Sequence, residues 1–299
     1  MMAMGLSPAW RGELLHDEPL SRHTSWRVGG PARSFYRPAD SADLALFLQQ
    51  LPPDEPLLWL GLGSNLLVRD GGFQGTVVAT QGALIELGRE SGDRIRAEAG
   101  VPCAKVARFA ARQGLIGAGF LSGIPGTMGG ALAMNAGAFG GETWERVQQV
   151  ETIDRYGRIR AREPEEFEIG YREVKGPSGE WFVAVRLQLR AGDSAQARQE
   201  IRELLQRRGN SQPTQLPSCG SVFRNPAGDH AARLIEAAGL KGARIGGAQV
   251  SEKHANFIVN RGQASADDIE RLIEHVQAVV EKQSGITLHP EVHMVGDSR

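Results

Sequence analysis

GAGFLSGIPGTMGGALAMNAGAFGG, Gly117 to Gly141, packs nine glycines into one stretch. Glycine costs roughly 0.5–1 kcal/mol per residue relative to alanine inside regular structure, so such density needs a reason. Close approach of backbone to a ligand is one. A shorter cluster, GLGSNLLVRDGGFQG, runs from Gly61 to Gly75. Ordinary turns account for the shorter cluster as readily as a binding loop does, but they account poorly for the longer one. Consecutive backbone N–H groups in loops of this kind form concave anion sites, and two in one domain suggest a pyrophosphate held from both sides. Neither cluster is a familiar nucleotide fingerprint. Leu66 stands where the third glycine of G-x-G-x-x-G would fall, and no G-K-[ST] follows any glycine run.

The remaining composition narrows the class. At 299 residues the chain can form one large domain or two to three smaller ones with a real core. A net charge of -1 gives no basic footprint for nucleic acid. Arg202, Arg207 and Arg208 form the one dense basic cluster, which suits a diphosphate better than a duplex. Cys103 and Cys219 cannot build a disulfide framework, and no Cys/His spacing resembles a zinc site, so no metal is expected. No apolar run approaches the roughly 20 residues that span a bilayer. MMAMGLSPAW lacks the basic and apolar regions of a signal peptide, so a cytoplasmic protein is expected.

Helices and strands mix along the chain. SADLALFLQQL predicts a helix capped by Ser41, with Leu44, Phe47, Leu48 and Leu51 on its apolar side. PCAKVARFAARQG predicts a second, with Pro102 in the first turn and Gly114 as its stop. SADDIERLIEHVQAVVEKQSG combines a Ser265/Asp268 capping signal with apolar periodicity and a stop at Gly285. Strands are expected at TVVAT, RIRAEA, VQQVETID and WFVAVRLQLR, the last with Val183, Val185, Leu187 and Leu189 on one face. The pattern is α+β. A shift from strand to charged helix near Ala191–Asp193 suggests a domain boundary. The expected division is a lead-in over 1–22, a first domain over 23–192 with subdomains of about 23–80 and 81–192, and a second domain over 193–299.

LPSCGSVFRNP, Leu216 to Pro226, sets a thiol, a glycine and a hydroxyl side by side. A nucleophile would need a base and a polarised acyl group. No G-x-S-x-G surrounds Ser221, and the nearest following histidine is His230, so that reading is weak. Cys219 reads as a small packing residue.

Several stretches resemble a known family. HTSWRVGGPARSFYRPADSADL, GLGSNLLV, SGIPGTMGGALAMNAGAFG and GYR are similar to the FAD-binding domain of the UDP-N-acetylenolpyruvoylglucosamine reductases, a flavin fold of the vanillyl-alcohol oxidase (PCMH) type. SCGSVFRNP, AGLKGARIGGAQVS, HANFIVN and HPEV resemble the same family's substrate domain and tail. The resemblance runs from about His23 to Val295, with the motifs in family order. It implies an α+β FAD-binding domain of two subdomains plus a smaller α+β substrate domain, in the family's short form without a tyrosine-bearing lid loop.

The activity implied is reduction of the enolpyruvyl group of UDP-N-acetylglucosamine enolpyruvate to UDP-N-acetylmuramate for peptidoglycan, with NADPH as reductant and FAD as carrier. By resemblance Ser221 is the proton donor, Arg172 faces the substrate carboxylate, and Glu291 stabilises the enol intermediate. Without the resemblance, Arg172 reads as a surface ion pair with Glu168 or Glu173, Glu291 as a solvated charge, and Ser221 as a turn hydroxyl. The flavin is expected on Gly61, Leu62, Gly63, Ser64 and Asn65 of one loop. The other loop adds Gly123, Gly126, Thr127, Gly129, Gly130, Asn135 and Gly137. Tyr171, Asn225, Arg208 and His254 are candidate substrate contacts, with Arg207 and Asn256 as further possibilities. None of the seven histidines falls in either loop, so the flavin is expected to be non-covalent. Competing readings are a flavin oxidase sharing the first domain and a non-catalytic sugar-nucleotide binder.

Overall fold

The structure is a computed structural model and describes residues 10–298; the start of the expected lead-in, residues 1–9, lies outside them. Three sheets organise the chain. The first has the strand order Glu13–Pro19, Pro31–Arg37, Phe73–Ala79, Leu57–Leu60, antiparallel at the first pairing and parallel at the other two. The expected lead-in is therefore partly structural: Glu13–Pro19 is an edge strand. Its sequence, ELLHDEP, has no strict alternation because an edge strand exposed to solvent does not require one.

The second sheet is wholly antiparallel, in the order Ile159–Arg162, Val147–Asp154, Glu180–Gln188, Arg94–Glu98, Leu87–Arg89. Helix α1 (Ser41–Gln50) lies between strands of the first sheet, and α2 (Cys103–Arg112) packs Val106, Ala107, Ala110 and Ala111 into the core of the second. The cap of α1 is Asp40, whose side chain accepts from the Asp43 N–H; the sequence suggested Ser41, one residue later. Both residue types satisfy the free N–H groups of a helix start, so sequence alone does not choose between neighbours. Pro102 is likewise the N-cap of α2, just outside its first turn.

Helix α3 (Met128–Ala133) is a single short turn inside the long glycine cluster. Helix α4 (Ser194–Ser211) begins at Asp193, where the domain boundary was expected. Its buried side nevertheless belongs to the preceding unit: Ala197 and Ile201 share a core with Cys103, Val106, Leu121 and Val185. The charged surface of α4 suggested a new domain, whereas its few apolar positions are what dock it.

The third sheet, Arg244–Ile245, Ala248–Val250 and Ile258–Asn260, is antiparallel and packs with α5 (Ala231–Ala237) and α6 (Ala266–Ser284). Helix α6 has both ends that its sequence announced. Ser265 and Asp268 form a reciprocal capping box, and Gly285 closes the helix at φ 71°. After α6 the chain returns to the first unit, where His293–Val295 pairs in parallel with Leu66–Val68.

Candidate active site

The two glycine loops face each other. The first follows the strand Leu57–Leu60, and the second leads into α3. A Cβ on Gly61 would lie 2.4 Å from Thr127 Oγ1, and one on Gly126 would lie 3.5 Å from Ser64 Oγ. Gly63 is required for two reasons: it takes φ 58°, and a Cβ there would stand 2.3 Å from the His23 carbonyl oxygen. The glycines thus bring two backbone segments closer than side chains permit.

Between the loops and the third sheet lies a cavity of about 550 Å³. Gly61 to Asn65, Gly123, Gly126, Thr127, Gly130 and Gly137 line it, as do Tyr171, Arg172, Ser221, Asn225 and Glu291. Gly129 lines a smaller cavity of about 270 Å³ that shares Trp59, Leu60, Gly61 and Gly130 with the first. Thr127 Oγ1 is buried without a hydrogen-bond partner among the described residues. A buried hydroxyl left unpaired costs about 1–3 kcal/mol, so a polar ligand between the loops fits this position. Glycine loops, cavity and orphaned hydroxyl together suit the pyrophosphate-linked cofactor FAD.

Some expected contacts lie elsewhere. Asn135 is absent from both cavity walls; it is buried at φ 39°, and its amide donates to Glu142 Oε2 and the Gly170 carbonyl. Its oxygen accepts from the Trp144 N–H. The side chain is spent on holding the loop. Arg208 also stands off the cavity, donating to Gln212 Oε1 at 3.1 Å, and it is Gln212 that reaches the wall. His254 packs against Phe257 behind the cavity; burial holds its imidazole below its ordinary pKa, and its Nδ1 has no partner among the described residues. Asn225 does line the wall, but its Oδ1 accepts from Ala231 N–H at the start of α5.

Three side chains converge at the cavity from distant parts of the chain. Arg172 sits at φ 56° on the turn between the short strands Glu168–Gly170 and Glu173–Lys175. Its Nη1 and Nη2 donate to the carbonyls of Asn135 and Gly137, each at 3.1 Å, and its Nε lies 3.2 Å from Glu291 Oε1. Glu168 and Glu173, the partners a surface reading gave it, pair with Lys175 instead. Two guanidinium N–H groups are held by carbonyls and Nε faces the Glu291 carboxylate, so the fork is fixed in place with further N–H donors to offer.

Ser221 and Glu291 are held on adjacent segments. The Glu291 N–H donates to the Val222 carbonyl at 2.7 Å, and Phe223 bridges Pro290. Asn256 pins the serine turn through both its amide groups, accepting from the Phe223 N–H and donating to the Phe223 carbonyl. Gly220, at φ 70°, makes the turn, and Ser221 Oγ makes no hydrogen bond within the described protein. Cys219 beside it is fully inside: its thiol points to the Gly63 and Leu66 carbonyls, and burial pushes its pKa up to about 12. It is a packing residue and not a nucleophile at neutral pH.

Burial raises the carboxyl pKa of Glu291 above the ordinary range, while the Arg172 and Arg224 charges pull against that rise. Asn65 of the first glycine loop donates to the Glu291 carbonyl oxygen at 3.1 Å, tying the flavin loop to this segment. Met134, Phe139 and His293 also line the wall; the first two come from the long glycine cluster and His293 from the strand His293–Val295, and spacing alone gave no signal that they meet.

The family model described as UDP-N-acetylenolpyruvoylglucosamine reductase, C-terminal domain, matches residues 212–295, and one described as FAD binding domain matches residues 32–161. The UDP-N-acetylenolpyruvoylglucosamine reductase of Alkalilimnicola ehrlichii is 62% identical over 288 residues, covering 96% of each chain. That of Methylococcus capsulatus is 61% identical, covering 97% of this chain and 95% of its own. The crystal structure of the reductase from Thermus caldophilus superposes with a TM-score of 0.81 at 34% identity, over 95% of this chain and 98% of that one.

Proposed function

Because the chain belongs to the UDP-N-acetylenolpyruvoylglucosamine reductase family, we propose that Arg172, Ser221 and Glu291 carry its reaction at the cavity between the glycine loops and the third sheet. The enzyme is an FAD-containing oxidoreductase that reduces the enolpyruvyl group of UDP-N-acetylglucosamine enolpyruvate to UDP-N-acetylmuramate. Gly61 to Asn65 and the segment from Gly123 to Gly130 would hold FAD, which would supply a two-electron hydride relay between NADPH and the terminal vinyl carbon. The flavin is non-covalent, since neither loop carries a histidine.

Hydride addition leaves carbanion character on the carbon beside the substrate carboxylate. Arg172 answers the charge: its guanidinium fork is fixed by two carbonyls and Glu291 before substrate arrives, so little reorganisation is needed as charge develops. Ser221 answers the proton. A hydroxyl is a weak acid, but a carbanion is a strong base, and Ser221 Oγ has no competing bond within the described protein. Glu291 orients Arg172 and faces the same cavity, where it stabilises the enol form.

The observation that carries this reading is the 3.2 Å contact of Arg172 with Glu291, made across 119 positions at a wall shared with Ser221 and both glycine loops. A flavin oxidase would use the first domain alone; the match to the reductase C-terminal domain over residues 212–295 favours the reductase. No helix among the described residues is long and apolar enough to cross a membrane. Together with its water-soluble nucleotide substrates, that supports a cytoplasmic enzyme. Only two short strands, the strand Glu180–Gln188 and α4 separate Arg172 from the serine turn, which supports the short form.

The test is spectroscopic. Purified protein should be yellow, acid should release all the flavin, and NADPH consumption should depend on the enolpyruvyl sugar nucleotide. Consumption at the same rate without that substrate would point to an oxidase.

A further inference from the structure

Arg224 lies three residues beyond Ser221 and outside the cavity wall, yet it bonds to the backbone of the segments that carry Glu291 and Arg172. Its backbone N–H donates to the His289 carbonyl at 2.9 Å, on the segment that carries Glu291. Its Nη2 donates to the Arg172 carbonyl at 3.3 Å, reaching from the second unit to the hairpin of the first. Its Nε is buried with no partner among the described residues. A buried guanidinium N–H without an acceptor is costly, and surface solvation does not explain it.

We propose that Arg224 is a positioning residue for the second half-reaction: it clamps the Ser221 turn to the Arg172 carbonyl and places a second positive charge beside the segment that carries Glu291. Arg172 occupies a left-handed conformation that a side chain disfavours, so an external hold on its carbonyl helps keep the turn formed. The charge does separate work. Glu291 is buried, and Arg172 and Arg224 both oppose the resulting rise in its pKa. The other titratable groups nearby are Glu142, 4.0 Å from Arg172, and His293, two residues beyond Glu291 and itself within the field of Arg224.

This inference rests on the role given to Glu291, so its test uses a readout independent of turnover. The Glu291 carboxyl can be titrated by infrared difference spectroscopy, its band identified by its loss in Glu291→Gln. Removing a nearby positive charge raises a carboxyl pKa. In Arg224→Gln and Arg224→Met the midpoint should rise by on the order of one pH unit, and in Arg224→Lys it should return most of the way. Flavin content and melting temperature report folding, and the unbranched Met stem is the neutral replacement that burial tolerates best.

In stopped flow, the limb of the pH–rate profile for flavin reoxidation that follows Glu291 should move to higher pH by the same amount. A midpoint unmoved in both neutral variants overturns the proposal, as does an equal shift in Arg224→Lys, which would mean lost packing and not lost charge. If wild-type flavin were not reoxidised by the enolpyruvyl substrate, the assigned reaction would fail while the carboxyl titration still decided the role of Arg224.

Discussion

The roles proposed for Ser221 and Arg172 fall at different moments of the reaction, and that difference can be measured. In the proposed reaction Ser221 acts after hydride leaves the flavin, and it stands on a different segment from the two glycine loops proposed to hold FAD. Ser221→Ala should keep its flavin and still be bleached by NADPH, while reoxidation by the enolpyruvyl sugar nucleotide slows by roughly 10²–10⁴-fold, the usual loss of a general acid. Reoxidation at the wild-type rate would remove Ser221 from the proton transfer. Failure of NADPH to bleach the variant would instead assign the hydroxyl to the nicotinamide site. Arg172 differs because its proposed partner is a carboxylate already charged in the ground state, so Arg172→Ala should weaken substrate binding as well as slow reoxidation. The structure adds a second consequence: truncation strips Glu291 of its nearest cation. Its carboxyl, already raised by burial, should titrate still higher. Arg172→Lys should recover part of that shift but little of the rate, because an ammonium cannot span the Asn135 and Gly137 carbonyls as the planar fork does. Comparing the two variants in single-turnover reoxidation, with substrate affinity measured separately, checks both statements.

At the scale of elements, local signals carried the helices and failed wherever a distant partner decided. Helix α6 is written into its own sequence at both ends, since a capping box and a left-handed glycine act within a few residues. The edge strand Glu13–Pro19 exists because Pro31–Arg37 lies beside it, and nothing within ELLHDEP says so. The placement of α4 on the core of the second sheet rests on Ala197 and Ile201, which read equally well as the sparse apolar side of an independent helix.

The candidate site divides the same way. The glycine loops could be read from density alone, whereas Arg172, Ser221 and Glu291 were visible only through family likeness, because they meet through tertiary contacts. Asn135 was misplaced since its motif position says nothing about which side its amide faces. Glycines provide the sharpest test at this scale. Gly63→Ala forces a Cβ against the His23 carbonyl at a left-handed position, so purified variant should carry little or no flavin and melt lower than wild type. Gly209, inside α4 with open space around it, is the contrast. Gly209→Ala should retain full flavin and gain up to about 1 kcal/mol of stability. Full flavin content in Gly63→Ala would show that the first loop is not held as described.

Across the whole molecule, the chain's return to its beginning decides whether its two units are separable. The core around α6 includes Trp26, Val28 and Leu67, all from the flavin-binding part. Trp26 is fully buried there; its Nε1 donates to the Ile258 carbonyl at 2.7 Å, and its own carbonyl accepts from Asn260 Nδ2 at 2.9 Å. Arg69 makes a fork with Glu270, and the Asp70 carboxylate accepts from the first N–H groups of α6, at Ala266 and Asp267. The pairing of His293–Val295 with Leu66–Val68 then closes the chain on itself. A fragment beginning at Gln212 would lack those three core side chains and the partner of its last strand. Expressed alone, it should show no cooperative thermal transition and should bind hydrophobic dyes, while the full chain melts in one transition seen alike by flavin release and far-UV circular dichroism. Trp26→Ala should destabilise the full chain by about 3–5 kcal/mol, the usual cost of emptying a large buried aromatic site, and should lower both signals together. A sharp melt of the isolated fragment, or a flavin signal lost well before the circular dichroism in the full chain, would mean that the two units fold separately and that these contacts only dock them.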